Sequence, residues 1–436
     1  MKGVHVHRAG PTMTPVSALD ESAAIRRLTD RFAFGARSAE TSFAAAAAAV
    51  LATAAPAPGL SVPDLGPQPD LTIGTQGSAA RQQLAAQEAT LTDWWLDRMV
   101  TTPSPLAERM TWLWHGHFAT SGQKVRSAVF MQRQNDTLRQ FGTGAFPALA
   151  RAIMIDPAML IWLDAQQNRV GTANENLARE SMELFLLGIG HYTETDVREA
   201  ARALTGWTVN RTTGAVALAP KRHDNGSKTI LGQTADFDVN SFVDLVLAQP
   251  NSPRFVTGRL WYRLVSSTPP SAAVLDRLVA AYGPTGDIAA TLRAITAEPA
   301  FVDSANVQVK APVDWAVGLM RALGVRPGGK QLSTGLRAMG QVPFLPPNVG
   351  GWPADGAWLT TAAALARLKL AALIVKQANL SAVRGSSAAA RAESVRQLLN
   401  VDTWTPRTLA ALAKVAGDPR AEVAIAACAP EYVVSQ

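Results

Sequence analysis

One cysteine, Cys428, stands in the whole chain, so an internal disulfide and a cysteine-based metal cluster are both excluded. Its surroundings are Ala-rich, which suits a small packed hydrophobe. No block of five or six basic residues occurs, although the net charge is +7. The excess is scattered arginine, as on an Arg-rich solvated surface, and no nucleic-acid partner is expected. Long apolar runs are also missing. The most continuous one, Phe43 to Ala55, is too short and too weakly hydrophobic to span a bilayer, and Pro56 and Pro58 end it. Met1 to Pro15 carries charges without an apolar h-region, so no secretory signal is visible and the expectation is a cytoplasmic protein. No Walker loop, dinucleotide glycine fingerprint or nucleophile elbow is found, which argues against the commonest nucleotide and serine-hydrolase scaffolds.

What is present is a large apolar fraction, 47%, with 17% charged residues, enough for a sizeable core. Helical spacing dominates. Pro105–Phe118 places Leu106, Met110, Leu113 and Trp114 on one face, and Phe146–Ile155 is stopped by Asp156-Pro157. Asn174–Leu187 has Asn174 as N-cap and Gly188 past its end, and Thr193 with Asp196 has capping-box spacing. The pattern breaks at Trp207–Gly232, where 207–209, 215–218 and 229–231 predict a small β-hairpin or meander. The predicted fold is therefore mainly α, a single large multi-helical domain with a β insertion near 207–232. Its expected divisions are a flexible N-terminus over 1–16, a main helical domain over 17–380 and a C-terminal helical extension over 381–436. Two loops interrupt the main domain, a Pro/Gly-rich one at 56–74 and a Trp/Pro one at 341–358.

Several strings carry a family resemblance: Trp112-Leu113-Trp114-His115-Gly116-His117-Phe118, Asn174 to Glu180 continuing to Glu183-Leu184, and Tyr192-Thr193-Glu194 through Gly206-Trp207. Arg222-His223-Asp224, Lys228-Thr229 and the loop from Gly340-Gln341 to Trp358-Leu359 follow in order and spacing. Over roughly residues 20 to 380 the chain resembles the bacterial domain of unknown function 1800 family. The resemblance implies a helical fold but no reaction. It also implies a partner, because such proteins are often encoded beside members of the domain of unknown function 1501 family, which resemble phosphatases or sulfatases.

The histidines single out the same block. Of six, His5 and His7 lie near the start, and the other four fall between residues 115 and 223. His115 and His117 sit at a helix end, where both can face one cavity; Glu180 and Glu183 share a helix face at i, i+3. Such a set, His115, His117, Glu180 and Glu183, would suit a divalent transition metal: zinc, manganese or iron. The competing reading pairs Glu180 with Arg179, Arg198 or Arg202 in a buried polar network. The turn at Arg222-His223-Asp224 with Lys228 presents cations, an imidazole and a carboxylate, a set that can hold an anion, or else an ordinary polar turn. Trp352 and Trp358 are placed to stack on a sugar-like or aromatic ligand, or to plug their loop onto the core.

Two expectations follow. The first is an enzyme with a His/Glu polar site, working by metal-assisted or acid/base chemistry on an anionic or sugar-like ligand. In it His115, His223, Asp224 and Lys228 are catalytic and Arg222, Trp352 and Trp358 bind the ligand. The second is a non-catalytic binding or scaffold partner of the phosphatase-like or sulfatase-like family, with the same side chains acting as internal struts.

Overall fold

In the computed structural model the helix Pro105–His117 is the axis on which the rest is hung. Every one of its residues is buried, as expected of a helix covered on all sides. Leu106, Met110, Leu113 and Trp114 enter one hydrophobic core with the helices Glu21–Ala33, Phe146–Met154, Glu194–Ala203 and Val239–Leu247. Trp112 enters a second core with Pro312–Leu323, Thr361–Gln377 and Pro419–Ala426. The structure describes residues 18–56, 62–69, 78–326 and 328–435. The expected flexible N-terminus, with His5 and His7, lies outside them, as does most of the 56–74 loop.

Helices make up 61% of the described residues, and the strands among them are confined to two-stranded antiparallel pairs, as the mainly α reading required. The β insertion differs in detail. Trp207–Val209 pairs with Val216–Leu218, but Lys228–Ile230 pairs with Gln233–Ala235 rather than joining the first hairpin. Two separate hairpins therefore replace a meander. Leu231 and Gly232 form the second turn, both at positive φ, the two-residue geometry that matches strand twist. A further short pair, Gln308–Val309 with Val434–Ser435, ties the end of the chain to the middle.

Local signals explain most helix boundaries. The Asp156 side chain accepts from Met159 N–H and caps Pro157–Trp162, and Thr193 with Asp196 forms a complete capping box. Around residue 174 the structure departs from the sequence reading. The α-helix begins at Asn176 after Glu175 as N-cap, and Asn174 makes the preceding turn by accepting from Asn176 N–H. The helix is α only to Glu180; Ser181–Leu186 continue as a π-helix. No helix among the described residues is long and apolar enough to cross a membrane.

Behind the central helix lies a buried charge network. Glu108 is 1% exposed and takes hydrogen bonds from Arg139 Nε at 2.6 Å, Arg139 Nη2 at 3.0 Å and Trp95 Nε1 at 3.1 Å, with Arg98 on the same oxygen as Arg139 Nε. Burial pushes its carboxyl up, but Arg139 and Arg98 outweigh this and hold it below the ordinary value.

Candidate functional site

The His-Gly-His end of the central helix meets the Trp/Pro loop directly. His115 Nε2 accepts from the amide of Phe344 at 3.0 Å, which fixes the proton of the neutral ring on Nδ1. The ring is enclosed by Trp95, Trp112, Phe344 and Trp352, and burial lowers its pKa to about 3. One residue on, Gly116 lies under Gly351, whose φ is +79°. Arg263 Nη2 donates to Trp352 O at 3.0 Å, and Asp355 accepts from Val309 N–H and Ser267 Oγ. The loop is thus held by backbone and side-chain bonds along its length.

His117 points the other way. Its Nε2 lies 2.9 Å from the carbonyl oxygen of Phe185. A carbonyl only accepts, so Nε2 carries the proton and Nδ1 is an acceptor. That Nδ1 is buried and has no partner. Burial, then the positive charges of Arg259 and Arg263, lowers the His117 pKa to about 3, against the Phe185 bond, which raises it.

His117 lines a cavity of about 370 Å³ together with Glu183, His191, Asn251, Phe255, Arg259 and Gly350, a size within the usual range for small-molecule sites. Besides His117 at the end of the central helix, four parts of the chain build it. The π segment supplies Glu183 on one wall, and His191 stands exposed after the Ile189-Gly190 turn. Asn251, Phe255 and Arg259 project from one face of the helix Asn251–Leu264, at i, i+4 and i+8. Gly350 brings in the edge of the Trp/Pro loop. Tyr192 Oη donates to Glu183 Oε2 at 2.8 Å; burial and this bond push the phenol up to about 12. Glu180, one turn back, is raised by burial and by the Glu183 charge.

Not all expected site residues converge here. His115 holds the loop and does not line this cavity. Trp352 and Trp358 are both 4% exposed and belong to the second core. They border a smaller cavity of about 70 Å³ with Arg109, Arg263, Asp314 and Asp355. The Arg-His-Asp turn is also elsewhere. His223 Nδ1 donates to Thr205 O at 2.9 Å, and Arg222 Nη2 reaches Gln166 O at 3.4 Å. Asp224 takes two bonds from Arg202 and one from Gly226 N–H, and Arg202 holds its carboxyl low. Lys228 is fully buried with Nζ 2.6 Å from Asp236. None of these four lines the cavity of His117 and Glu183.

The expected metal set is not assembled. Among the described residues no group of three or more His, Cys, Asp or Glu side chains is placed to hold a metal ion. The physical reason lies at His115, whose Nε2 is occupied by the Phe344 amide proton and which does not line the cavity of His117 and Glu183. Among the described residues Glu180 does not pair with an arginine either: Arg179 bonds Glu175 and Glu194, Arg198 bonds Thr195, and Arg202 bonds Glu199 and Asp224.

The profile of one family, described as Protein of unknown function (DUF1800), matches residues 27–434. The chain belongs to that family. The match reaches past the point where the recognisable motifs stop, through the segment 381–434 that closes the second core. No curated protein and no solved structure matches the chain. Within this DUF1800 protein, sequence reasoning did not select His191, Asn251 or Arg259 for the site. The histidine count pointed toward His191. Asn251 and Arg259 carried no signal, since an arginine among 41 basic residues looks like surface until its neighbours are known.

Proposed function

We propose that this protein is an enzyme of the acid/base type acting on a small polar ligand in the 370 Å³ cavity beneath the edge of the Trp/Pro loop. The observation that carries this reading is the convergence of Glu183, His191 and His117 from three separate segments on one solvent-connected space. Glu183 is the general base, steadied by Tyr192, and His191, exposed at the mouth, is the proton-transfer partner on the solvent side. His117 is the positioning acceptor, because its lowered pKa keeps it neutral. The supporting chemistry needs no bound metal.

The test is turnover of a panel of phosphate esters, sulfate esters and glycosides by the wild type, Glu183→Gln and His191→Gln. Turnover that falls at least about 100-fold in Glu183→Gln, in line with the usual contribution of a general base, supports the reading. Turnover untouched by both substitutions, or none across the panel, overturns it.

A second reading is favoured by the bonding of the other polar residues. His115, Arg222, His223, Asp224 and Lys228 each hold a backbone or side-chain partner in another element or along the hairpin. That suits a scaffold protein with a partner of the domain of unknown function 1501 family. Co-purification with such a partner, with affinity unchanged by Glu183→Gln, supports it.

A further inference from the structure

Arg259 is the least satisfied cation beside the cavity. Its Nε is sealed from solvent without an acceptor, and no carboxylate pairs with it among the described residues. Its aromatic neighbour, Tyr262, lies on its own helix with the guanidinium 5.7 Å from the ring centre. One turn further, Arg263 likewise forms no ion pair with a carboxylate among the described residues and spends one nitrogen on Trp352 O. Two like charges at i, i+4 repel. The helix does pair arginines where it needs only solubility, since Arg254 bonds Asp276 at 2.6 Å. An uncompensated guanidinium facing a cavity is costly unless something anionic completes it.

Three other groups of the lining have the opposite character. His117 Nδ1 is an acceptor without a donor. Glu183 is an acceptor with one oxygen bonded by Tyr192. Asn251, also on the lining, gives an amide proton to Leu187 O at 2.7 Å, and its side-chain oxygen is a further acceptor. A bare anion would satisfy Arg259 and leave these acceptors facing one another. A neutral polyol would satisfy the acceptors and leave Arg259 alone. The complementary ligand carries an oxyanion at one end and hydroxyl donors at the other.

We infer that the cavity binds a hydroxylated oxyanion, a sugar phosphate or polyhydroxy carboxylate, with the anionic group on the Arg259 guanidinium and a hydroxyl hydrogen-bonded to His117 Nδ1 and Glu183. Bidentate geometry makes arginine the natural partner for either phosphate or carboxylate. The inference rests on the cavity being the functional site but not on any turnover there.

The test is calorimetric titration of the full chain with glucose 6-phosphate, gluconate, glucose and inorganic phosphate. At least one hydroxylated oxyanion should bind, with glucose at least tenfold weaker; the stronger of glucose 6-phosphate and gluconate names the anionic group. Arg259→Met should lose at least tenfold in affinity and Arg259→Lys less, with thermal unfolding confirming that both are folded. Binding unchanged in Arg259→Met, or no binding by either oxyanion in the wild type, overturns the inference. Inorganic phosphate binding as tightly as both hydroxylated anions does so too. Arg259-dependent binding with no turnover in the panel above would leave this inference standing and remove the enzyme reading. Glu183-dependent turnover with binding indifferent to Arg259 would do the reverse.

Discussion

A β-carbon added to Gly351 would lie 2.1 Å from the carbonyl oxygen of Gly116. The Trp/Pro loop and the His-Gly-His helix end therefore touch backbone to backbone, and only glycine fits on the loop side. With a φ of +79° as well, Gly351→Ala should destabilise the protein by about 2–3 kcal/mol. Gly116 is different. Its added β-carbon meets nothing nearer than Trp352 at 3.8 Å, so Gly116→Ala should be neutral or up to about 1 kcal/mol stabilising in its helix. Urea unfolding of the two variants measures the contrast; equal effects would disprove the close approach.

Glu108 neutralises Arg98 and Arg139 in the interior. Its removal leaves two buried cations sharing no anion, and Glu108→Ala should cost about 3–5 kcal/mol. Because the folded carboxyl is held below its unfolded value, its contribution is full above the ordinary carboxylate range and is lost as pH falls through the lowered folded value. The midpoint of chemical unfolding, followed from neutral to acid pH in wild type and variant, checks both statements.

The two buried imidazoles give a separate pH dependence. Each takes up its proton near 6.5 in the unfolded chain and only at about 3 in the folded one. Between those values the unfolded state binds more protons, so stability should fall as pH drops from 6.5 toward 3. Asp156 works against this, since burial pushes it up to about 7 and its folded state holds the extra proton below that pH. The balance is read by comparing variants: His115→Gln and His117→Gln should each flatten the loss between pH 6.5 and 4, and Asp156→Asn should steepen it. Unchanged slopes in all three would remove the argument.

Lys228 separates the strut from the catalyst. Fully buried against half-exposed Asp236, it is replaceable by a residue of similar length that needs no counter-charge. Lys228→Met should change stability by less than about 1 kcal/mol, whereas Asp236→Ala, which orphans the ammonium, should cost about 2–4 kcal/mol. Any turnover found for the wild type should survive Lys228→Met; its abolition in a stably folded variant would return Lys228 to the reacting groups.

The helical architecture was legible because its signals are local. Asp156-Pro157, the Thr193–Asp196 box and the apolar face of Pro105–Phe118 each need only a few neighbouring residues to be understood. The meeting of the Trp/Pro loop with the His-Gly-His end was legible as a suspicion, since two unusual strings invite a shared purpose. What each imidazole does was not. His115 and His117 are two residues apart and identical in type, yet one accepts an amide proton from a loop 229 positions away and the other donates to Phe185. The choice is made by partners distant in sequence. The same holds for Arg259: the absence of a neighbouring carboxylate is a property of the packed molecule, invisible in a string where acidic residues are common. The π segment escaped for another reason, because Asn174–Leu187 has good helical spacing under either hydrogen-bond pattern.

That π segment sets the cavity's alignment. Its last carbonyls do not close on their own helix alone: Phe185 O takes a bond from His117, Leu186 O from Ser252 and Leu187 O from Asn251. A π turn holds one residue more than an α turn. Were the same residues wound as a regular α-helix instead, that extra residue would turn everything beyond it by about 100°. The three borrowed bonds would be lost together, and Glu183 and His117 would no longer face the same space. The wall of the cavity is in this sense out of phase with its own helix, and three neighbouring side chains keep it so.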